Sequence, residues 1–181
     1  MMKDGADIID VGGESTRPGA ERVTEAEELN RVIPVIRALS AQGATISVDT
    51  MRAKTAKRAV EAGAQIVNDV SGGAADPEML STVAELGCTY ILMHWRGHSK
   101  DMNSKAIYQD VVQEVIAELN EQVQKALAAG IQPANIILDP GMPRGTVRQV
   151  PFEEAVSPQI LSQAAERMFA DARELKTRSP E

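Results

Sequence analysis

Three polar residues stand where short apolar runs end: Asp49 after "ISV", Asn68 after "QIV" and Asp139 after "NIIL". Carboxylates accept paired N–H bonds well, and a carboxamide both donates and accepts. Three such groups converging from separate strands suit a flat, nitrogen-rich heterocycle with an amino group beside a ring N–H, such as a guanine or a pterin. They suit a phosphate badly, because two acids would repel it. Taken singly, each could as well cap a helix or hold a turn.

The stretch "GGESTRPG", residues 12–19, has the opposite character. Two glycines allow close backbone approach, Ser15 and Thr16 offer hydroxyls, and Arg17 brings a planar donor fork. That set describes an anion site for which diphosphate is a sensible guest. A polar turn closed by Pro18 and Gly19 is an equal alternative. The stretch matches neither the P-loop nor the GxGxxG pattern. His94 and His98 are four apart, but Arg96 and Gly97 lie between them without a carboxylate, so no metal site is assigned. His94 reads as a pocket-wall or satisfied strand-end histidine, and Cys88 as core. No nucleophile–base pairing is evident, so no catalytic residue is assigned.

These residues need elements to position them. Five runs rich in Ile and Val ("ADIIDVGG", "ATISVDT", "QIVNDVSGG", "TYILMHW", "NIILDPG") alternate with stretches of helical spacing. "TEAEELNRVIPVIRALSAQ" opens on Thr24 and Glu27 as a capping box and repeats Leu29, Val32, Ile33 and Ile36 at helical steps. Pro34 should kink or restart that helix. Gly43, Gly63, Gly87 and Gly130 each fall where a helix would end. Strand–helix alternation implies an α/β fold with a parallel sheet, and continuous apolar strands imply burial of both faces. Every strand ends in polar residues, which favours a ring of loops around one pocket over a crevice at one switch point. The expectation is a partial (β/α)8 TIM barrel with about five βα units visible. After Gly141 no Ile/Val-rich strand follows. That region reads as a loop, an amphipathic helix over about 158–175, and a polar end. The predicted units are therefore 1–141, the partial barrel, and 142–181, a divergent helical tail.

The 181 residues are 43% hydrophobic and carry a formal net charge of −7, which argues against a nucleic-acid binder. A single cysteine fits a reducing compartment. No apolar run is long enough to span a membrane, and "MMKDGADIID" has no signal-peptide core. Cytoplasmic localisation is expected.

Taken together and in order, "DIIDVGGESTRPG", "SVDT", "IVNDVSGG", "LMHWRG" and "ILDPG" resemble dihydropteroate synthase, and "MHW" resembles its actinobacterial members. The resemblance covers residues 1 to about 141. It implies a (β/α)8 barrel of folate biosynthesis that joins 4-aminobenzoate to 6-hydroxymethyl-7,8-dihydropterin diphosphate and releases diphosphate. It implies pterin contacts at Asp49, Asn68 and Asp139, diphosphate and aminobenzoate contacts at Thr16 and Arg17, and Mg²⁺ held with the diphosphate. The implied reaction is dissociative, with C–O cleavage before attack by the arylamine nitrogen. The family's "NVTPDSFSDGG"-type loop, "GFAK"-like segment, "SRK" lysine and Arg-x-His strand are not among these residues. Little catalysis is therefore expected from this chain alone. Open strand edges would favour a homo-oligomer. Two other readings share the motifs: a non-catalytic accessory subunit, and a pterin-binding methyltransferase module, against which the "GGESTRPG" loop argues.

Overall fold

The computed structural model describes residues 5–16, 20–98, 108–141 and 150–151. Its elements are β1 (Ile9–Gly12), α1 (Glu25–Ser40), β2 (Ile46–Asp49), α2 (Ala53–Glu61), β3 (Ile66–Asp69), α3 (Met79–Leu86), β4 (Thr89–Met93), α4 (Val111–Ala128), β5 (Ile136–Asp139) and β6 (Val150–Pro151). A single 3₁₀ turn, Pro133–Asn135, leads into β5. The first five strands pair in parallel and in chain order, β1-β2-β3-β4-β5. A doubly wound sheet reverses its strand order at a switch point. This sheet never does, and the arrangement is that of part of a (β/α)8 barrel.

Side chains on one sheet face pack against helices and form the core. Ile9 and Val11 of β1, Ile46 and Val48 of β2, Tyr90 and Leu92 of β4, and Ile136 and Leu138 of β5 are all buried there. Helix α1 lies on β1 and β2, α2 packs between α1 and α3, and α4 lies on β4. Val32 and Ile36 of α1 face this core, with Glu28 one turn earlier on the same stripe. The other, inner face carries Asp10, Gly12, Asp49, Asn68, Ile91, Met93, Ile137 and Asp139, all half-buried or exposed, and, nearer the strand starts, Ser47 and Ile66, both buried. The expectation that both faces are buried therefore holds on the outer face and only in part on the inner one, because among the described residues the helices pack on the outer face.

Two further expectations change. Pro34 does not restart its helix, since α1 runs unbroken from Glu25 to Ser40. Pro34 and Asn30 are both exposed, so the carbonyl that loses its i−4 donor is open to water. Thr24 caps this helix, its Oγ1 accepting from Glu27 N–H at 3.2 Å, while the Glu27 carboxylate accepts from Arg31. Beyond Gly141 a short strand does appear, as β6 pairs antiparallel with β5 through Leu138↔Val150 and Ile137↔Pro151. Two residues carry no readable periodicity. A proline fits there because an edge strand can spare one N–H. The helix expected over 158–175 lies outside the described residues.

Candidate functional site

Strand register decides which polar residues meet. Gly12, Asp49 and Asn68 are consecutive partners across β1, β2 and β3, and the row continues into Ile91 and Ile137. Asp139 lies two residues beyond Ile137, on the same face and one layer nearer the strand C-termini. Two strand spacings separate it from Asn68, roughly 10 Å across the sheet. Asp49, Asn68 and Asp139 therefore share one face and one end of the sheet.

Their chemistry differs. Asp49 is half-buried, and its Oδ1 is shielded with no hydrogen-bond partner among the described residues. Burial, reinforced by the Asp10 carboxylate and then by Asp69, Glu28 and Glu14, pushes its acid up to about 7. Asn68 Nδ2 donates to Asp10 Oδ2 at 3.4 Å, which leaves its carbonyl oxygen to accept. Asp139 Oδ1 accepts from Gly141 N–H at 2.8 Å, and burial raises its acid despite that bond. Gly141 has φ +71°, and a Cβ there would lie 2.9 Å from the His94 carbonyl. The "DPG" turn is thus built around one oxygen of the Asp139 carboxylate. The three side chains together offer acceptors, matching a guest that presents several N–H groups.

The adjacent acid at position 69 belongs elsewhere. Asp69 points to the helix side, where it accepts from Ser71 N–H (2.8 Å), Ser71 Oγ (2.7 Å), Gly73 N–H (2.8 Å) and Tyr90 Oη (2.8 Å). Burial raises its acid, with these donors opposing. Its work is to fold the β3–α3 loop.

The "GGESTRPG" glycines also divide. A Cβ on Gly13 would come within 2.9 Å of Val32 Cγ1 and 3.0 Å of Glu28 Cγ, so this glycine lets β1 meet α1 closely. A Cβ on Gly12 would sit at ordinary contact distance, 3.5 Å, from Asp49 Cβ and Oδ2. Only Gly12 keeps space open beside a site residue. Thr16 is half-buried in the loop after β1, and Arg17 lies outside the described residues.

Two ionic groups were not legible in the motifs. Glu14, Glu28 and Arg52 form a nearly buried cluster between the β1–α1 loop, α1 and the β2–α2 turn. Its one local sign was Glu28 standing at the i−4 and i−8 positions of Val32 and Ile36. At the end of β4, His94 Nε2 meets Glu118 Oε2 at 2.8 Å, and Arg96 donates to Glu114 (2.6 Å) and Glu118 (2.5 Å). The Arg96 guanidinium also lies 3.9 Å over the Tyr108 ring. His94 is thereby a satisfied strand-end histidine. Cys88 packs half-buried against the core, and burial pushes its thiol up, away from a reactive thiolate.

Among the described residues no group of three or more His, Cys, Asp or Glu side chains could hold a metal ion. These residues do not make a magnesium cage. Among them, too, no helix is long and apolar enough to cross a membrane.

Residues 1–153 match the family model described as "Pterin binding enzyme". The chain is 52% identical over 143 residues to the dihydropteroate synthase of Mycobacterium leprae, covering 78% of this chain and 50% of that protein. Among solved structures, it is similar to Xanthomonas albilineans dihydropteroate synthase with 4-aminobenzoic acid (TM-score 0.72, 45% identity, 77% of this chain and 49% of that one). The same enzyme in complex with 7,8-dihydropteroate matches with TM-score 0.67 and 38% identity, over 78% of this chain and 48% of that one. The chain spans about half the length of these relatives.

Proposed function

This chain belongs to the pterin-binding enzyme family, and we propose that it forms the pterin-recognising part of a dihydropteroate synthase of folate biosynthesis. The observation that carries this reading is the buried Oδ1 of Asp49, partnerless among the described residues, beside Asn68 on the open sheet face. In this reading Asp49, Asn68 and Asp139 accept from the amino and ring N–H groups of the pterin. Thr16 and Arg17 meet the diphosphate and the incoming 4-aminobenzoate. The bond from the exocyclic methylene carbon to the diphosphate oxygen breaks, and diphosphate leaves with the bonding pair. The arylamine nitrogen then forms the new C–N bond and loses a proton. The protein contributes ring orientation and electrostatic positioning rather than a covalent intermediate. Mg²⁺ would accompany the diphosphate oxygens, since magnesium commonly binds through substrate phosphates. The functional unit is residues 1–141, to whose sheet 150–151 add an edge strand, with the remainder of 142–181 as the tail, acting in the cytoplasm.

Titration calorimetry with 6-hydroxymethylpterin tests the site. Binding to the wild-type chain and a loss of at least about tenfold in Asp49→Asn are expected. Equal affinity in the two proteins would overturn the assignment. Assay of dihydropteroate formation from both substrates tests the reaction itself.

A second reading has its own observation. Ile91, Met93 and Ile137 on the inner face are only half-buried, and β1 is an edge strand among the described strands. A half-open apolar face beside a free edge favours self-association, which makes the chain a homo-oligomer or an accessory subunit. Light scattering coupled to size exclusion would show a dimer or larger species, and a monomer at all concentrations would count against it.

A further inference from the structure

We propose that Arg52 is a positioning residue that holds the neck of the Thr16 loop in register with the strand end bearing Asp49. The inference rests on the roles proposed above for that loop and for Asp49.

The loop leaves β1 through Gly13 and Glu14 and returns at Val23, immediately before Thr24 caps α1. Its two ends are tied directly, Glu14 Oε2 accepting from Val23 N–H at 3.0 Å. Arg52 arrives from the next βα unit, three residues after Asp49. Its Nη2 donates to Glu14 Oε2 at 3.0 Å and to the Val23 carbonyl at 2.6 Å, one acceptor on each side of the neck. Nη1 donates to Glu28 Oε2 of α1. The backbone N–H of Arg52 donates to Thr50 Oγ1 at 3.2 Å, and that hydroxyl donates to Glu28 Oε1 at 2.6 Å. Thr55 Oγ1 completes Glu28 at 3.1 Å. Loop neck, helix and strand end are therefore one hydrogen-bonded unit, and Thr50 is the covalent neighbour of Asp49.

The chemistry suits positioning. The side chains of Arg52, Glu14 and Glu28 are only 16%, 6% and 1% exposed. Taking charges out of water offsets most of what such pairs gain in stability, whereas their directional bonds still specify geometry. A guanidinium meets several acceptors along fixed directions at once, and an ammonium cannot reproduce that fork. Burial would raise Glu14, but Arg52 and Arg22 outweigh it and keep its acid below the usual value, so the latch stays ionised at neutral pH.

The test compares two probes, 6-hydroxymethylpterin and 6-hydroxymethylpterin diphosphate, by calorimetry on the full chain. Arg52→Met should bind the first within about threefold of wild type and lose at least about tenfold for the second. Arg52→Lys should regain only part of that loss. Equal losses for both probes, or none, would overturn the proposal, because a purely structural role weakens both alike. Hydrogen exchange supplies a ligand-free readout. The Val23 amide should exchange at least about tenfold faster in Arg52→Met and in Glu14→Gln, with amides in the middle of α1 unchanged. Glu14→Gln opens the neck while leaving the Arg52–Glu28 pair, and serves if Arg52→Met does not fold. If wild type binds neither probe, the pterin reading falls and the latch is judged by exchange alone: unchanged Val23 exchange would refute it.

Discussion

Asp49 and Asn68 stand opposite each other in the parallel β2–β3 ladder, one with a buried carboxylate oxygen lacking a partner among the described residues, the other with its amide nitrogen drawn to Asp10. The pair therefore presents two acceptors side by side. A carboxylate held in that state resists ionisation, and its acid at about 7 leads to a pH prediction.

Asp49 has a folded-state acid well above the ordinary aspartate value of about 4. The folded chain thus binds more protons than the unfolded one between these values, and stability should fall as pH rises from about 4 to about 7, then level off. Glu14, Glu114 and Glu118 act oppositely, each held below the ordinary glutamate value. Arginine contacts lower all three, working against burial as the largest influence on Glu14. Their contribution is present above the unfolded value and is lost in acid. Denaturant titrations across pH should place the stability maximum between about pH 4 and 6. Asp49→Asn should flatten the fall towards pH 7, and an unchanged slope would remove Asp49 as its source.

The two adjacent glycines should respond differently to alanine. Gly13→Ala forces a Cβ against Val32 and the Glu28 backbone, where α1 cannot give way, and should cost about 1–3 kcal/mol. Gly12→Ala meets only ordinary contacts at Asp49 and should leave the melt nearly unchanged. It narrows the space beside the Asp49 carboxylate, so pterin affinity should drop. Melting and calorimetry on both variants separate the two roles, and a reversal of the pattern would refute the assignment.

Tyr90→Phe removes one of four donors to Asp69 and leaves the remainder in place. A loss of about 1–2 kcal/mol in chemical denaturation is expected. Ligand affinity should not change, because Tyr90 and Asp69 lie on the helix side of the sheet. A selective loss of binding without loss of stability would place Asp69 in the site after all.

Thr24→Ala deletes the Oγ1 acceptor of Glu27 N–H at the start of α1. The change should cost about 1 kcal/mol. Since Thr24 follows Val23 directly, exchange at the loop neck should be followed in the same sample. An effect confined to the first turn of α1 is expected, because Glu14 and Arg52 still hold Val23.

The alternation of strand and helix, the residues closing each strand and the family motifs were all legible in the sequence. They depend on local signals: apolar runs, helical spacing from Leu29 to Ile36, and glycines at helix ends. Which sheet face each of two adjacent polar residues takes was not legible. In "IVNDV" side chains alternate between faces and nothing local fixes the phase; the register with β2 and β4 sets Asn68 on the inner face and Asp69 on the helix side. The same holds for Gly13, whose cause is a helix packed above it, and for Arg52, whose partners Glu28 and Glu14 lie 24 and 38 positions away. Local chemistry could nominate Asp49, Asn68 and Asp139. Only the packing of α1 against two strand ends decided how the loop beside them is held, because that geometry exists only after distant segments have met.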